Sequence, residues 1–132
     1  MDSKKIAELF KSKGIKATAQ RIAVYDYLIE HPIHPDVETV YEHVVRENPS
    51  FSKTTVYNCL QVLTQCGMIT PVTIDSDRIR YDANISFHGH FKCERCKKIY
   101  DFNCTGAESS AIEGFLIKQR DVYYSGICKH CR

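Results

Sequence analysis

The sequence predicts an α+β fold with its helices first. Three observations carry this. Apolar residues recur at helical spacing in four successive stretches up to Gly67; the period shortens to that of strands from Thr70 onward; and the last third of the chain is bracketed by two Cys-x-x-Cys pairs.

The first helix holds Ile6, Leu9 and Phe10 on one stripe and ends at Gly14. Thr18 offers its hydroxyl as the cap of a second helix, with Ile22, Tyr25, Leu28 and Ile29 on one face, and Pro32 and Pro35 stop it. Asp36 caps a third, in which Val37, Val40, Tyr41, Val44 and Val45 follow the i, i+3, i+4, i+7, i+8 pattern up to Asn48-Pro49. Ser52 caps a fourth, whose inner face is Val56, Leu60 and Leu63 and whose stop is Gly67. Thr70 to Ile74 and Arg78 to Tyr81 then read as a hairpin with Asp75-Ser76-Asp77 at its tip. Helices followed by such a hairpin are the order of a winged helix-turn-helix, with the helix after Ser52 placed to enter a major groove and the hairpin as the wing. Residues 83–86 read as a hinge. Beyond it the pattern predicts strands around Phe91, from Ile99 to Phe102 and from Asp121 to Ser125, with a helix from about Ser109 to Lys118. The expected division is therefore 1–82, a hinge at 83–86, and 87–132. A second unit this small needs a metal and a partner chain for stability.

Composition narrows the function classes. The chain has 132 residues, 43% of them apolar and 26% charged, a globular balance that excludes long disorder. No apolar run approaches the roughly 18 residues of a membrane span, and the start, Met1-Asp2-Ser3-Lys4-Lys5, leads into an amphipathic pattern rather than an export signal. The expected location is the cytoplasm. The formal charge is only +2, but it is unevenly spread: residues 1–21 carry five Lys and one Arg against Asp2 and Glu8, while residues 22–49 carry Arg46 against six carboxylates. A basic head on an acidic segment fits a helix group that meets an anion at one face; it also fits solvated helix faces.

Seven cysteines in a cytoplasmic chain point to metal ligation rather than disulfides. Cys93, Cys96, Cys128 and Cys131 form two knuckles. Two residues between cysteines let both thiolates face one ion while backbone N–H groups point at the sulfurs, and two knuckles close a tetrahedral shell. A closed thiolate shell has no place for substrate, so the expected zinc is structural. Cys59 and Cys66 fit small apolar packing roles, and Cys104 is assigned none.

A second constellation is harder. His88-Gly89-His90 places two imidazoles on one face of a strand, Asp82 closes the wing, Asp101 follows Ile99, and His34 stands before the stiff Pro35. Imidazoles with carboxylates suit Fe(II), Mn(II) or Zn(II) at five or six coordination. The same residues also fit plainer roles: surface histidines on a strand, a turn-capping aspartate, a solvated loop histidine. Their spacing alone does not bring them together. His31, His43 and His130 read as structural or exposed.

At these residues the chain resembles a known family. Thr18-Ala19-Gln20-Arg21, Thr55-Val56-Tyr57-Asn58, His88-Gly89-His90 with Cys93-x-x-Cys96, and Cys128-x-x-Cys131 are similar to the motifs of the ferric uptake regulator family, from about residue 5 to the C-terminus. His34-Pro35 with Tyr41, the aspartates at 82 and 101 where the iron-responsive branch tends to carry glutamates, and Thr-Val-Tyr-Asn all resemble the peroxide-responsive branch. The family usually has Pro where Ala19 stands, which implies only a softer helix start. An additional metal site of some members is implied absent, because Gly89 and Arg120 replace its polar and histidine ligands although Glu108 remains.

The resemblance implies a homodimeric repressor that binds a palindromic double-stranded operator when Fe2+ or Mn2+ is held by His34, Asp82, His88, His90 and Asp101, with Zn2+ on the four cysteines. It implies no small-molecule substrate and no membrane partner. Metal binding would fix one angle at residues 83–86 and set two recognition helices about one DNA turn apart. With Val56, Leu60 and Leu63 inward, Thr54, Tyr57, Asn58 and Gln61 face DNA, and Lys16 and Arg21 are candidates for phosphate contacts. Peroxide would oxidise His34 or His88 and release the DNA. The competing readings are an iron- or zinc-responsive repressor without peroxide chemistry, a metalloenzyme using the open His/Asp set or a redox protein using the cysteines as dithiol pairs, and a zinc-ribbon interaction module.

Overall fold

The structure, a computed structural model, describes residues 2–105 and 109–132. The chain divides into two compact units, Met1–Ile85 and Ser86–Arg132, each taken by itself below.

The first unit packs four helices against a hairpin: α1 (Ser3–Ser12), α2 (Ala19–Glu30), α3 (Val37–Glu47), α4 (Lys53–Gln65), then β1 (Thr70–Val72) and β2 (Arg80–Asp82). Side-chain oxygens cap the helices as expected. Thr18 Oγ1 accepts from the Arg21 N–H at 3.2 Å, Asp36 Oδ1 from Thr39 at 2.9 Å and Ser52 Oγ from Thr55 at 3.0 Å. The core joins Ile6 and Phe10 of α1 to Val24, Tyr25 and Leu28 of α2, Val40 and Val44 of α3, and Val56, Leu60 and Leu63 of α4. Tyr27 lies with its ring centroid 4.5 Å from that of His31 and 4.4 Å from that of His43, which gives these two histidines a packing role. Gly67, at φ +77°, turns the chain out of α4 in a conformation that only glycine takes at no cost.

β1 and β2 pair antiparallel, Thr70 opposite Asp82 and Val72 opposite Arg80. The strands differ in extent from the predicted ones. The first ends at Val72 rather than Ile74, and the second starts at Arg80 rather than Arg78. The reason is local: Arg78 and Arg80 both turn their side chains to Asp75, so the tip is longer than three residues.

The second unit is a three-stranded sheet in the order β4–β3–β5, where β3 is Gly89–Cys93, β4 Ile99–Phe102 and β5 Tyr123–Gly126. β3 pairs antiparallel with β4 and parallel with β5. The helix predicted from about Ser109 to Lys118 is not formed; a single 3-10 turn, Ser110–Ile112, stands in its place. Gly114, at φ +82°, breaks the helical run. Phe115 and Leu116, which would have been its apolar face, are 67% and 84% exposed, so nothing in this unit rewards a short helix. Glu108 lies outside the described residues. Among the described residues no helix is long and apolar enough to cross a membrane.

Candidate metal centres and nucleic-acid face

The four-cysteine site grows from the sheet. β3 delivers Cys93 and turns sharply through Lys97, at φ 65°. β5 ends at Gly126, whose carbonyl accepts from the Glu94 N–H at 2.7 Å, bringing the second knuckle beside the first. All four sulfurs lie within 4.8 Å of one another. A tetrahedral ion with bonds of about 2.3 Å sets its sulfurs about 3.8 Å apart; Cys96 Sγ and Cys128 Sγ are separated by 3.9 Å.

The surroundings favour thiolate. The Cys96 and Cys128 N–H groups each donate to Cys93 Sγ at 3.4 Å. These bonds, that from Cys128 foremost, pull the Cys93 thiol down to about 6. Tyr100 donates its hydroxyl to Cys128 Sγ at 3.5 Å, the main reason that thiol is lowered and the phenol raised. Cys131 is pushed up to about 12, chiefly because it shares its proton with the Cys128 sulfur. The donor set, its spacing and its N–H and O–H donors fit a closed, structural Zn2+ site. Tyr100 was missed in the sequence, where it reads only as an aromatic strand residue.

The harder donors fall into two groups, one per unit. In the first, His34 Nε2 lies 3.4 Å from Asp82 Oδ2, and both residues are buried. Asp82 ends β2. His34 reaches it because the segment after it runs alongside that strand: the Tyr81 N–H donates to the Pro35 carbonyl at 2.9 Å, and Asp36 pairs with Arg80. In the second, His88 and His90 have ring centroids 4.5 Å apart, and the Nε2 of each lies 3.6 Å from a different oxygen of Asp101. The β3–β4 register sets His90 opposite Asp101. The Ser86 carbonyl lies 2.7 Å from His88 Nδ1. A carbonyl only accepts, so Nδ1 is the donor of this bond and Nε2, which faces Asp101, is the nitrogen available to ligate. Imidazoles with carboxylates fit a borderline-hard cation with open positions.

The outer face of α4 presents Thr54, Tyr57, Asn58 and Gln61, all exposed, with Gln61 Nε2 donating to the Tyr57 hydroxyl at 3.2 Å. Lys16 is exposed, and Arg21 donates to its carbonyl at 3.0 Å. Thr18, Gln20, Arg21, Thr55 and Asn58 line a shallow groove between α2 and α4. Cys59 is buried on the inner face, where burial raises its thiol, in keeping with an apolar packing role.

The sequence model described as the Ferric uptake regulator family matches residues 12–124. This chain belongs to the ferric uptake regulator family. It is 31% identical over 133 residues to the peroxide operon regulator of Bacillus subtilis (strain 168), covering 97% of this chain and 92% of the relative. It is 31% identical to the peroxide-responsive repressor PerR of Staphylococcus epidermidis over 132 residues, 96% and 87% of the two chains. Among solved structures, it is similar to PerR from Streptococcus pyogenes, with 29% identity, TM-score 0.56, and 98% and 92% coverage. The Helicobacter pylori ferric uptake regulator, at 22% identity, TM-score 0.72, and 97% and 89% coverage, shares the fold. The family fold contains the winged helix-turn-helix expected for the first unit. Membership makes the chain a metal-responsive transcriptional regulator and not an enzyme.

Proposed function

We propose that this family member is a homodimeric repressor whose grip on a palindromic operator depends on Fe2+ or Mn2+ and is released by peroxide. The supporting observation is the pair of half-shells. His34 and Asp82 form one and His88, His90 and Asp101 the other, each set by the backbone of its own unit. Five donors of this kind complete a shell with an open position, and neither half alone does. In this reading Cys93, Cys96, Cys128 and Cys131 hold Zn2+ and give the small second unit the cross-link its own core lacks. The first unit, ending in the wing, is the DNA reader; residues 83–86 are the hinge; the remainder carries the dimer contact, with Phe115 and Leu116 as apolar surface for a second copy.

The control is a population shift. Ion binding favours only the arrangement in which both half-shells meet, so it changes DNA affinity by the difference in its affinity for the two arrangements. Closure sets the outer faces of two α4 helices about one DNA turn apart. Thr54, Tyr57, Asn58 and Gln61 then meet base edges or backbone, while Lys16 and Arg21 meet phosphates. Iron held there would activate peroxide beside the imidazoles. His34 or His88 would take one oxygen atom from H2O2, with the other leaving as water, and would no longer donate its Nε2 lone pair; the two half-shells would then part and free the DNA. Similarity to peroxide-responsive relatives favours this over purely iron- or zinc-responsive repression.

The test is peptide mass spectrometry on the iron-loaded, zinc-containing protein after peroxide, with DNA binding followed by fluorescence anisotropy. One added oxygen on a peptide containing His34 or His88, in step with loss of binding, is the expected result. Unmodified histidines with peroxide-insensitive, metal-dependent DNA binding would instead establish a metal-responsive repressor without peroxide chemistry.

A further inference from the structure

The wing carries a buried ion pair that has no direct part in the site just proposed. Arg80 points its Nε at Asp75 Oδ2, 2.6 Å away, and the side chains are 12% and 1% exposed. Arg78 Nε approaches the same carboxylate oxygen at 3.5 Å, and its Nη1 donates to Asp36 Oδ2 at 2.9 Å. A buried ion pair is a poor source of net stability, because desolving both groups offsets their attraction. Its more credible use is to hold something in place.

What it holds is the backbone of His34. Arg80 Nη1 donates to the His34 carbonyl at 3.1 Å while Nε stays on Asp75. His34 has φ 57°, in the left-handed region that is unfavourable for a residue bearing a side chain. Such a conformation persists where its surroundings over-determine it. Here three contacts do so: the Arg80 guanidinium on the His34 carbonyl, the Tyr81 N–H on the Pro35 carbonyl at 2.9 Å, and the Asp36–Arg80 bridge. Released, His34 relaxes toward negative φ, which swings its imidazole away from Asp82.

We propose that Arg80 is the positioning residue for His34: with one edge of its guanidinium anchored on buried Asp75, it clamps the His34 carbonyl and so keeps Nε2 aimed at Asp82. The inference rests on the reading of His34 as a ligand. The role demands arginine, because two nitrogens fixed in one plane serve two partners at once, whereas a lysine ammonium is a single point donor on a flexible stem. It also couples the wing to the site, since the tip residue Asp75 and the ligand His34 share one side chain.

The test uses the full zinc-loaded chain and Mn2+ as probe, with free Mn2+ read by its electron paramagnetic resonance signal. R80A weakens Mn2+ binding by about 10-fold or more, the range of lost outer partners of a metal ligand, while zinc content stays unchanged. R80K weakens it too, and serves alone if R80A does not fold. The deciding comparison is R80K in an H34A background, where it has no further effect on Mn2+ affinity. Equal weakening in both backgrounds means that Arg80 acts through general stability and overturns the proposal, as does unchanged Mn2+ affinity in R80K. If H34A itself binds Mn2+ as tightly as the parent chain, His34 is not a ligand; the proposed function then fails first and this inference with it.

Discussion

Gly89 stands at the start of β3 between His88 and His90, opposite Phe102 of β4, whose ring occupies the space a Cβ would need. Phe102 in turn stacks on Tyr124 at 5.0 Å, so it has little room to yield. G89A is expected to destabilise the second unit by about 1–3 kcal/mol, the usual cost of overpacking. A lowered denaturant midpoint and faster zinc loss to a chelating dye would show it; an unchanged midpoint would contradict the packing. In the sequence Gly89 reads only as the absence of a polar ligand, because its packing partner is ten or more residues away. The four cysteines, by contrast, are legible outright: their spacing states the chemistry, and the backbone merely delivers them. Tyr57 lies between these cases. Helical periodicity puts it outside, and the structure leaves it 46% exposed. Y57A is expected to weaken binding to a selected inverted-repeat duplex by about 5- to 100-fold, the range for a lost specific contact. Anisotropy measures this, and zinc and Mn2+ contents should not change.

Elements were legible where local chemistry alone decides them. Thr18, Asp36 and Ser52 cap their helices through hydroxyl or carboxylate oxygens that need only the next turn as partner. S52A is expected to cost about 1 kcal/mol and to lower the melting temperature of the first unit without altering metal content. Elements decided by distant partners were less legible. The hairpin strands are shorter than their alternating pattern because Arg78 and Arg80 turn to Asp75. The segment after Ser109 has helical spacing of its apolar residues but keeps one 3-10 turn, since its apolar face has nothing in its own unit to pack on. If Phe115 and Leu116 are surface for a second copy, L116E lowers the dimer fraction in sedimentation at micromolar concentration; an unchanged distribution places the dimer contact elsewhere.

At the scale of the whole chain, the helix-then-sheet order and the family were legible because motifs from every third of the sequence agree. The candidate regulatory site was legible as a set of residue types but not as geometry, for its donors come from four separate stretches of chain and two compact units. What the structure adds is that each unit has its own donors in order: His34 on Asp82, and His88 and His90 on Asp101. It also adds the Arg80 clamp, which no motif announces. C96S is expected to abolish zinc retention and unfold the second unit, seen as lost chemical-shift dispersion for residues 86–132 while the first unit keeps its own, because a unit of this size lacks a sufficient core.

In the proposed mechanism one exchangeable ion is held by donors of both units at once. Electron paramagnetic resonance titration of Mn2+ into the zinc-loaded chain tests it most directly, comparing the parent with D82A, which removes a donor from the first unit, and H90A, which removes one from the second. The expected result is one tight Mn2+ per chain in the parent and at least 10-fold weaker binding in both variants, with zinc intact. Full-affinity binding retained by either variant would contradict it, because the ion would then be held by one unit alone.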